Sequence, residues 1–450
     1  MSASSSRPST VANGSAQASV AEVGRRARAA SRLLAKLSND QRNEVLMAVA
    51  AAIEKGMAQV LEANAADCRA AEPDVRAGRM SSAMLARLGD QRKLNHMLAY
   101  VRSVAALPDP VGRRLSAMEL DDGLVLYKET CPLGVIGIVF EARPEVISQV
   151  AALTLKSGNA VILKGGSEAV RTNEVIVSLW RECLGKFPAV PADALQLLHT
   201  RAEFTELLSR NKDVDLIVPR GSYELVHFVM RNSRIPVLGH GEGICHVYVD
   251  AAADLDKAVA VSVDAKVQGP AICNAAETLL VHQAVAGEFL PRVAAKLVEA
   301  GVELRGCPRT MDLLTAFPVV PATEQDWATE YSDLILSIKV VKDADEAIAH
   351  INHYGSRHTD AIVTEDSQAA RKFMEEVDSA GVFQNASTRF SDGYNYGLGA
   401  EIGISNSKLH ARGPMGLEGL TTYKYKLFGS GQTVAEYSQG LKKFKHRPLP

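Results

Sequence analysis

The first hundred residues carry their apolar side chains at helical spacing. Over residues 20–37 the apolar positions recur on one face at i, i+3, i+4 and i+7, which predicts an amphipathic helix. Ser38, followed three residues later by Gln41, has the pattern of a capping box, and the helix that begins there is predicted to run to about Lys55. A third helical stretch, over residues 82–106, completes an α-helical beginning to the chain.

From residue 134 onwards the pattern changes to short apolar runs that alternate with helical stretches. The runs are residues 134–140, 159–164, 195–198, 214–218, 243–249, 277–282, 334–341 and 361–363. Strands with a nearly unbroken apolar sequence are typical of parallel sheets that helices cover on both faces. The sequence therefore predicts an α/β protein with two doubly wound halves, which meet near residue 250.

Two further strand patterns, at residues 124–127 and 420–426, lie outside this succession. An isolated strand is not stable in water and needs a partner strand. Pairing between subunits is one solution.

Composition excludes several classes of function. The chain has 450 residues, of which 47% are hydrophobic and 23% charged, and its net charge of -2 gives no electrostatic reason to expect nucleic acid or an anionic membrane as a partner. No apolar run reaches the roughly 18 residues that a transmembrane helix needs. The six cysteines have neither C-x-x-C nor paired Cys/His spacing, which argues against a metal site and a disulfide framework and favours a reducing, cytoplasmic location.

The first 18 residues are rich in Ser and Ala and contain no acidic residue. Such a segment cannot bury enough apolar surface to fold, which predicts a disordered tail. Organelle-targeting segments share this composition, so an organellar address is the alternative.

Cys273 is the candidate nucleophile. Small residues lie on both sides of it in the segment 267–281, which leaves room for a substrate carbonyl, and the strand that follows would hold the loop rigid. The alternative is structural, because unpaired cysteines commonly pack in cores as small apolar residues.

Three turns that follow predicted strands could bind phosphate groups. They are Lys164-Gly165-Gly166-Ser167, Pro219-Arg220-Gly221-Ser222 and Glu141-Ala142-Arg143-Pro144. In doubly wound sheets ligands bind beyond the carboxyl ends of strands, where helix N-termini favour anions. Each turn taken alone could equally be an ordinary helix cap, and the chain contains no G-x-G-x-x-G.

Taken in order, the motifs resemble those of the gamma-glutamyl phosphate reductases, a branch of the aldehyde dehydrogenase superfamily. The motifs are A-R-P (142–144), N-A-V-I-L-K-G-G-S (159–167), R-G-S-Y-E (220–224), G-H-G-E-G-I-C-H-V-Y-V-D (239–250), Q-G-P-A-I-C-N-A-A-E-T-L (268–279), the run 330–366, F-Q-N-A-S-T-R-F (383–390) and H-A-R-G-P-M-G-L-E-G-L-T-T-Y-K (410–424). The likeness covers about residues 19–435.

This resemblance implies an aldehyde dehydrogenase-like fold, with two doubly wound α/β domains and a small β oligomerisation element. The implied boundaries are a disordered tail at 1–18, an NADPH-binding domain at 19–119 and 133–249, a catalytic domain at 250–411, and oligomerisation strands at 120–132 and 412–450. A homo-oligomer, dimer or higher, is the expected assembly.

The implied reaction is the second step of proline biosynthesis. Cys273 would attack the acyl phosphate of L-glutamate 5-phosphate, release phosphate and form a thioester, which hydride from NADPH reduces to L-glutamate 5-semialdehyde. The Cys273 amide and the Asn274 side chain would stabilise the oxyanion. The superfamily places a further donor, an asparagine, where this chain has Ala142.

The resemblance also implies binding residues. Those expected to hold the cofactor are Lys164, Ser167, Gly221, Ser222 and Glu330, and Ser167 stands where NAD-using members often carry Glu, which favours NADP. Those expected to hold the substrate are Arg143, Arg357, His358, Asn385, Ser387, Thr388, Arg389 and Arg412, although a structural ion pair would explain any one of these arginines equally well.

Two other functions remain open. A hydrolytic aldehyde dehydrogenase would need a general base, which the superfamily supplies as a glutamate where this chain has Gly239; Glu242, three residues on, is expected to point elsewhere, and His240 is the remaining candidate. A non-catalytic scaffold for glutamate 5-kinase, a candidate partner, is the third function, and the intact Cys273 argues against it.

Overall fold

The computed structural model describes residues 18–239 and 241–450. The predicted tail therefore lies outside the described residues except for Ala18, which packs against the core, and so does His240. In chain order the helices are α1 (Val20–Leu34), α2 (Asn39–Arg76), α3 (Ser82–Leu88), α4 (Gln91–Asn95), α5 (Met97–Ala106), α6 (Val146–Lys156), α7 (Val170–Leu184), α8 (Arg201–Leu207), α9 (Tyr223–Asn232), α10 (Leu255–Val267), α11 (Gln283–Glu299), α12 (Pro308–Leu313), α13 (Ala344–Tyr354), α14 (Ser367–Glu376) and α15 (Val434–Ser438).

The strands follow the same numbering. They are β1 (Arg114–Asp121), β2 (Leu124–Pro132), β3 (Val135–Phe140), β4 (Ala160–Lys164), β5 (Leu195–Leu198), β6 (Leu216–Arg220), β7 (Cys245–Val249), β8 (Ala276–His282), β9 (Glu303–Gly306), β10 (Val319–Pro321), β11 (Ile335–Val341), β12 (Thr359–Val363), β13 (Gly381–Gln384), β14 (Gly403–Ser405), β15 (Gly413–Met415), β16 (Thr421–Phe428) and β17 (Arg447–Leu449).

Two parallel sheets confirm the predicted pair of α/β halves. The first has the strand order β5-β4-β3-β6, and the second has the order β10-β9-β11-β8-β7-β12-β13. Every residue of β3 and of β7 is buried, as continuous apolar strands in a covered sheet must be. No helix among the described residues is both long enough and apolar enough to cross a membrane.

Helix α2 extends much further than the predicted end near Lys55. Its capping box is confirmed, since the Ser38 and Gln41 side chains each accept a backbone N–H of the other. Beyond Lys55 the buried face continues with polar side chains: Asn64 donates to the carbonyl of Leu88, and the Asp67 carboxylate accepts the backbone N–H of Thr172. Because Asn64 and Asp67 interrupt the apolar positions Val60 and Ala71 on that face, hydrophobic spacing does not reveal this part of the helix.

The predicted helix over residues 82–106 is three helices, α3, α4 and α5. Gly89 ends α3, and the Asp90 side chain accepts the Arg92 backbone N–H at 3.2 Å, which begins α4 in a new direction. His96 separates α4 from α5.

The strands outside the parallel sheets form one antiparallel sheet of order β16-β2-β1-β17. Strand β16 pairs with β2 of the same chain, for example Tyr425 with Lys128, so its partner does not have to come from another subunit. Residues 114–119 also belong here, as part of β1, whereas the predicted boundary placed them in the cofactor domain.

After β13 the chain returns to the first half. Ala400, Ile402, Met415 and Leu420 are buried in the core that surrounds the first sheet. The predicted boundary at residue 411 therefore does not separate two packing units. Within 412–450, only β16 and β17 join the antiparallel sheet.

Candidate active site

Cys273 lies in the loop between α10 and β8, at the amino edge of the second sheet. The loop lies close against the backbone that leads into β7: a Cβ on Gly243 would come within 2.0 Å of the Cys273 carbonyl oxygen. The Cys245 thiol donates to that same oxygen at 3.3 Å. Only glycine permits this approach at position 243, so β7 fixes the position of the cysteine loop.

A cavity of about 500 Å³ opens at Cys273 and brings three predicted cofactor residues to it. Gly221 and Ser222 enter from the carboxyl end of β6, and Glu330 enters from the segment before β11. The Glu330 carboxylate accepts the Gly243 backbone N–H at 2.9 Å, which ties it to the same backbone that supports Cys273. The carboxyl edge of the first sheet thus faces the amino edge of the second across this cavity.

The turn at Gly221 and Ser222 suits an anion. Ser222 caps helix α9, and its backbone N–H donates to a Glu141 carboxylate oxygen at 2.9 Å. A Cβ on Gly221 would lie 2.4 Å from that oxygen. The Glu141 carboxylate shows that the N-terminus of α9 accepts a negatively charged group. A cofactor pyrophosphate would bind the same backbone N–H groups in place of Glu141.

Lys164 and Ser167 lie at the carboxyl end of β4, outside the lining of the Cys273 cavity. The Lys164 ammonium donates to the Gly165 carbonyl at 2.6 Å, and burial lowers its pKa. Ser167 is exposed. Both lie at the edge of the first sheet where Gly221 and Ser222 lie, as residues that bind the distant end of one cofactor should.

Asn274 ties the cysteine loop to the segment 387–391. Its side-chain Nδ2 donates to the Ser391 carbonyl at 2.9 Å, and its buried Oδ1 has no partner among the described residues. The Nδ2 carries a second N–H, so this contact still leaves the side chain a donor for the oxyanion. Further donors are the Cys273 and Asn274 backbone N–H groups, for which the described part of the chain provides no hydrogen-bond acceptor.

The position of the superfamily asparagine offers no replacement donor. Ala142 is fully buried with φ of +46°, and its backbone N–H donates to a Glu168 carboxylate oxygen at 2.5 Å. A left-handed alanine is uncommon, and this hydrogen bond helps to hold it.

Arg389 lies against the cysteine loop. Its Nε donates to Gln268 at 2.8 Å, and its Nη2 would be 3.0 Å from a Cβ on Gly269. Burial lowers the pKa of Arg389, and its buried Nη1 has no partner among the described residues. Ser387 accepts the Arg389 backbone N–H, and the Thr388 hydroxyl is buried. The structure thus brings the segment 387–389 to the cysteine.

The other predicted substrate residues lie away from Cys273. Arg357 and Arg412 both contact the Asp378 carboxylate, at 3.8 Å and 3.1 Å, which is the structural alternative that the sequence left open. His358 is buried and contacts the hydroxyl of its neighbour Thr359. These three residues are corrections to the predicted site: they precede β12 or follow β14, and none lines the cavity.

Asn385 is a further correction. It follows β13, at the carboxyl edge of the second sheet, and has φ of +53°. Its side chain accepts the Thr364 backbone N–H at 2.9 Å and donates to the Thr364 carbonyl at 3.0 Å. Asn385 therefore stabilises a turn at the edge opposite to Cys273.

Glu242 was expected to point elsewhere, and that expectation is wrong. Glu242 lines the Cys273 cavity, where burial and the neighbouring Glu330 raise its pKa. A half-turn of regular chain would have directed it away, but the segment after Val237 is irregular.

A second cavity, of about 860 Å³, is lined by residues 269–272 and shares several lining residues with the first. Arg87, Arg143 and Arg220 line both cavities. Arg143 was predicted; Arg220 and Arg87 were missed. Arg220 belongs to the Pro219–Ser222 turn, but only Gly221 and Ser222 of that turn were predicted to bind a ligand. Arg87 lies in helix α3, where no sequence motif marks it.

Arg220 is held by Glu401. Its two terminal nitrogens donate at 3.2 Å to the Glu401 carbonyl and carboxylate. Burial lowers the pKa of Arg220 and raises that of Glu401. Arg87 and Arg143, in contrast, have no carboxylate within ion-pair distance among the described residues. The arrangement presents cations beside Cys273 that are suited to anionic groups of a substrate.

A buried ion pair fixes the position of the segment that carries Glu330. Lys266 and Glu277 are fully buried, with 2.5 Å between Nζ and Oε2. Burial raises the pKa of Glu277 to about 8, and Lys266 opposes that shift. The other Glu277 oxygen accepts the Ser332 backbone N–H at 3.2 Å, which fixes the segment that carries Glu330.

Comparison with known proteins identifies the family. Residues 3–305 match the aldehyde dehydrogenase family. The chain is 52% identical to the gamma-glutamyl phosphate reductase of Synechococcus sp. (strain JA-2-3B'a(2-13)), over 99% of this chain and 98% of that protein. It is 53% identical to the gamma-glutamyl phosphate reductase of Nostoc sp. (strain PCC 7120), over 95% of this chain and 98% of that one.

Solved structures with the aldehyde dehydrogenase fold also match this chain. The gamma-glutamyl phosphate reductase of Thermotoga maritima superposes with a TM-score of 0.87 at 41% identity, over 92% of this chain and 100% of that one. An acetylating aldehyde dehydrogenase from Geobacillus thermoglucosidasius, at 16% identity and a TM-score of 0.64 over 92% of this chain and 97% of that one, shows the shared fold alone. The chain belongs to the aldehyde dehydrogenase family, in its gamma-glutamyl phosphate reductase branch.

Proposed function

We propose that the chain reduces L-glutamate 5-phosphate to L-glutamate 5-semialdehyde and phosphate, with NADPH, as the second step of proline biosynthesis. One observation supports this most directly: Cys273 lies in a cavity lined by residues suited to a dinucleotide, and the same cavity is lined by Arg87 and Arg143, which have no ion-pair partner among the described residues. A reductase of an anionic acyl phosphate needs both.

In this mechanism the Cys273 sulfur attacks the acyl carbon, and the bond from that carbon to the phosphate oxygen breaks, so that a thioester forms and phosphate leaves. The Cys273 and Asn274 backbone N–H groups would stabilise the developing oxyanion. Arg220, oriented by Glu401, would balance charge on the departing phosphate. Arg389, which lies against the cysteine loop, would attract an anionic group of the substrate.

Five residues would hold the cofactor: Lys164 and Ser167 at the adenosine end, Gly221 and Ser222 at the pyrophosphate, and Glu330 at the nicotinamide ribose. When bound, the cofactor supplies the hydride that reduces the thioester carbon, and the thiol of Cys273 is released. The chain's part is to keep that carbon in place beside the cavity of about 500 Å³.

NADP is the proposed form of the cofactor. Ser167 is exposed and uncharged at the position where a carboxylate would repel a 2'-phosphate. The neighbouring Glu168 carboxylate is already engaged, since it accepts the Ala142 backbone N–H. Lys164→Ala is therefore expected to weaken NADPH binding by at least about tenfold while NADH binding changes much less, since a charge-assisted contact to phosphate is lost. Fluorescence titration of both cofactors measures this, and equal losses would show that Lys164 does not contact the phosphate.

The assembly and the location are also proposed. Strand β16 lies at the edge of its sheet with Tyr423, Tyr425 and Leu427 exposed, which supports a homo-oligomer. The six cysteines are all free, which suits the cytoplasm. Association with glutamate 5-kinase, which makes the acyl phosphate, stays a prediction.

The test of the activity is a spectrophotometric assay in the oxidative direction. Glutamate 5-semialdehyde, phosphate and NADP together should produce NADPH, and the rate with NAD should be lower. No reduction of either cofactor would reject the proposed function.

A further inference from the structure

The second cavity, of about 860 Å³, contains four carboxyl groups. Three of them already have partners. Asp90 accepts the Arg92 backbone N–H at 3.2 Å, Asp392 accepts the Tyr394 backbone N–H at 2.8 Å, and Glu401 holds Arg220. The fourth is Glu145.

Glu145 is buried without a cation. It immediately precedes helix α6, is 5% exposed and lines this cavity. No arginine or lysine among the described residues comes within ion-pair distance of it, and the donor that contacts its carboxylate is its own backbone N–H. Burial raises the pKa of Glu145, and the charges of Arg143, Lys93 and Arg220, all beyond ion-pair distance, oppose that shift.

A buried carboxylate that lacks a cation destabilises a folded protein, and such groups are normally paired. Here the empty position faces a cavity, so a ligand can supply the missing charge. The same cavity offers Arg87 and Arg143 without ion-pair partners, which suit anionic groups. The combination fits a molecule with one ammonium group and more than one anionic group.

We propose that Glu145 binds the α-ammonium group of the substrate and thereby selects an α-amino acid over the same aldehyde without its amino group. This inference rests on the proposed function and specifies which residue recognises the amino acid. The carboxylate accepts hydrogen bonds from the ammonium, while Arg87 and Arg143 are left for the α-carboxylate and the phosphate.

The test compares two substrates in the oxidative direction, glutamate 5-semialdehyde and 5-oxopentanoate, which lacks the α-amino group. Wild-type protein should prefer glutamate 5-semialdehyde in kcat/KM. Glu145→Gln should lower kcat/KM for that substrate by about 10- to 100-fold, mainly through KM, because a charge-assisted hydrogen bond is lost. For 5-oxopentanoate the change should stay within about threefold.

Asp392→Asn is the matched control, since Asp392 lines the same cavity but caps its own loop. It should keep the wild-type preference between the two substrates. Glu145→Asp, which keeps the charge on a shorter side chain, should restore part of the preference lost in Glu145→Gln. Thermal unfolding and cofactor titration of each variant separate a folding defect from a loss of recognition.

The outcomes distinguish the two claims. A wild-type protein that oxidises neither aldehyde rejects the proposed function. An active wild-type protein whose preference survives Glu145→Gln, or one in which Asp392→Asn removes the preference instead, overturns the assignment of Glu145.

Discussion

At the scale of single residues, the site depends on glycines and buried charges together. Gly243 permits the backbone contact that holds the Cys273 loop, and Gly221 permits an anion to reach the N-terminus of α9. Around them Arg220, Arg389 and Glu145 lie in surroundings that lower or raise their pKa values through burial. Perturbed groups gathered around one cysteine are typical of catalytic sites.

Cys273→Ser is expected to lower kcat at least about 100-fold, because a hydroxyl is a far poorer nucleophile than a thiolate at neutral pH. Cofactor binding should remain near that of wild type, since the substitution removes no contact of Gly221, Ser222 or Glu330. Steady-state kinetics and cofactor titration check both halves. More than about a tenth of the wild-type activity would contradict the role of Cys273.

Sequence reasoning located the nucleophile and the turns but not all of the charged residues around them. Cys273 and Ser222 lie in motifs whose chemistry is visible in a few letters. Arg87 lies in helix α3 and Glu145 immediately precedes helix α6, and the importance of both comes from the cavity they share, which only the fold reveals. The predictions for Arg357 and Arg412 were wrong for the opposite reason. Both arginines lie in or near sequence motifs, but in the fold they contact the same carboxylate, Asp378.

At the scale of elements, most parallel strands were predictable, whereas the short strands β9, β10 and β13 and the pairing of the antiparallel sheet were not. Continuous apolar runs such as β3 and β7 are recognisable as buried strands from the sequence. Strand β16 pairs with β2, nearly 300 residues earlier in the chain, for example Lys426 with Tyr127. A local sequence pattern carries no information on such a distant pairing, so the strand could be predicted but its partner could not.

The free edge of β16 leads to a prediction about assembly. Tyr425 and Leu427 share one exposed face of the strand, and Lys424 points to the other. The double substitution Tyr425→Glu, Leu427→Glu should shift the protein to a monomer, because buried like charges at an interface are unfavourable. Light scattering coupled to size-exclusion chromatography measures the mass, with Lys424→Glu as the control that should keep the oligomer. An unchanged mass for the double variant would show that this face is not the interface.

At the scale of the whole molecule, catalysis depends on two sheets that face each other by opposite edges. The carboxyl edge of the first sheet presents the anion-binding turn, and the amino edge of the second presents Cys273 and Glu330. The buried pair of Lys266 and Glu277 keeps the segment of Glu330 in register with Cys273. Residues 400–420 return to the first half and link the two.

The proposed function requires that, in the oxidative direction, phosphate and not water attacks the thioester of Cys273. The superfamily's general-base position is Gly239 here, yet Glu242 lines the cavity of Cys273 with a raised pKa, so the structure also contains a carboxyl group that could activate water. These two possibilities predict different requirements for an anion.

The most direct measurement is NADPH formation from glutamate 5-semialdehyde and NADP in phosphate-free buffer, followed by addition of phosphate or arsenate, with Glu242→Gln run alongside wild type. The reaction should stall before the anion is added and resume afterwards, in both proteins. Steady NADPH production without either anion, abolished by Glu242→Gln, would instead establish a hydrolytic dehydrogenase with Glu242 as its base.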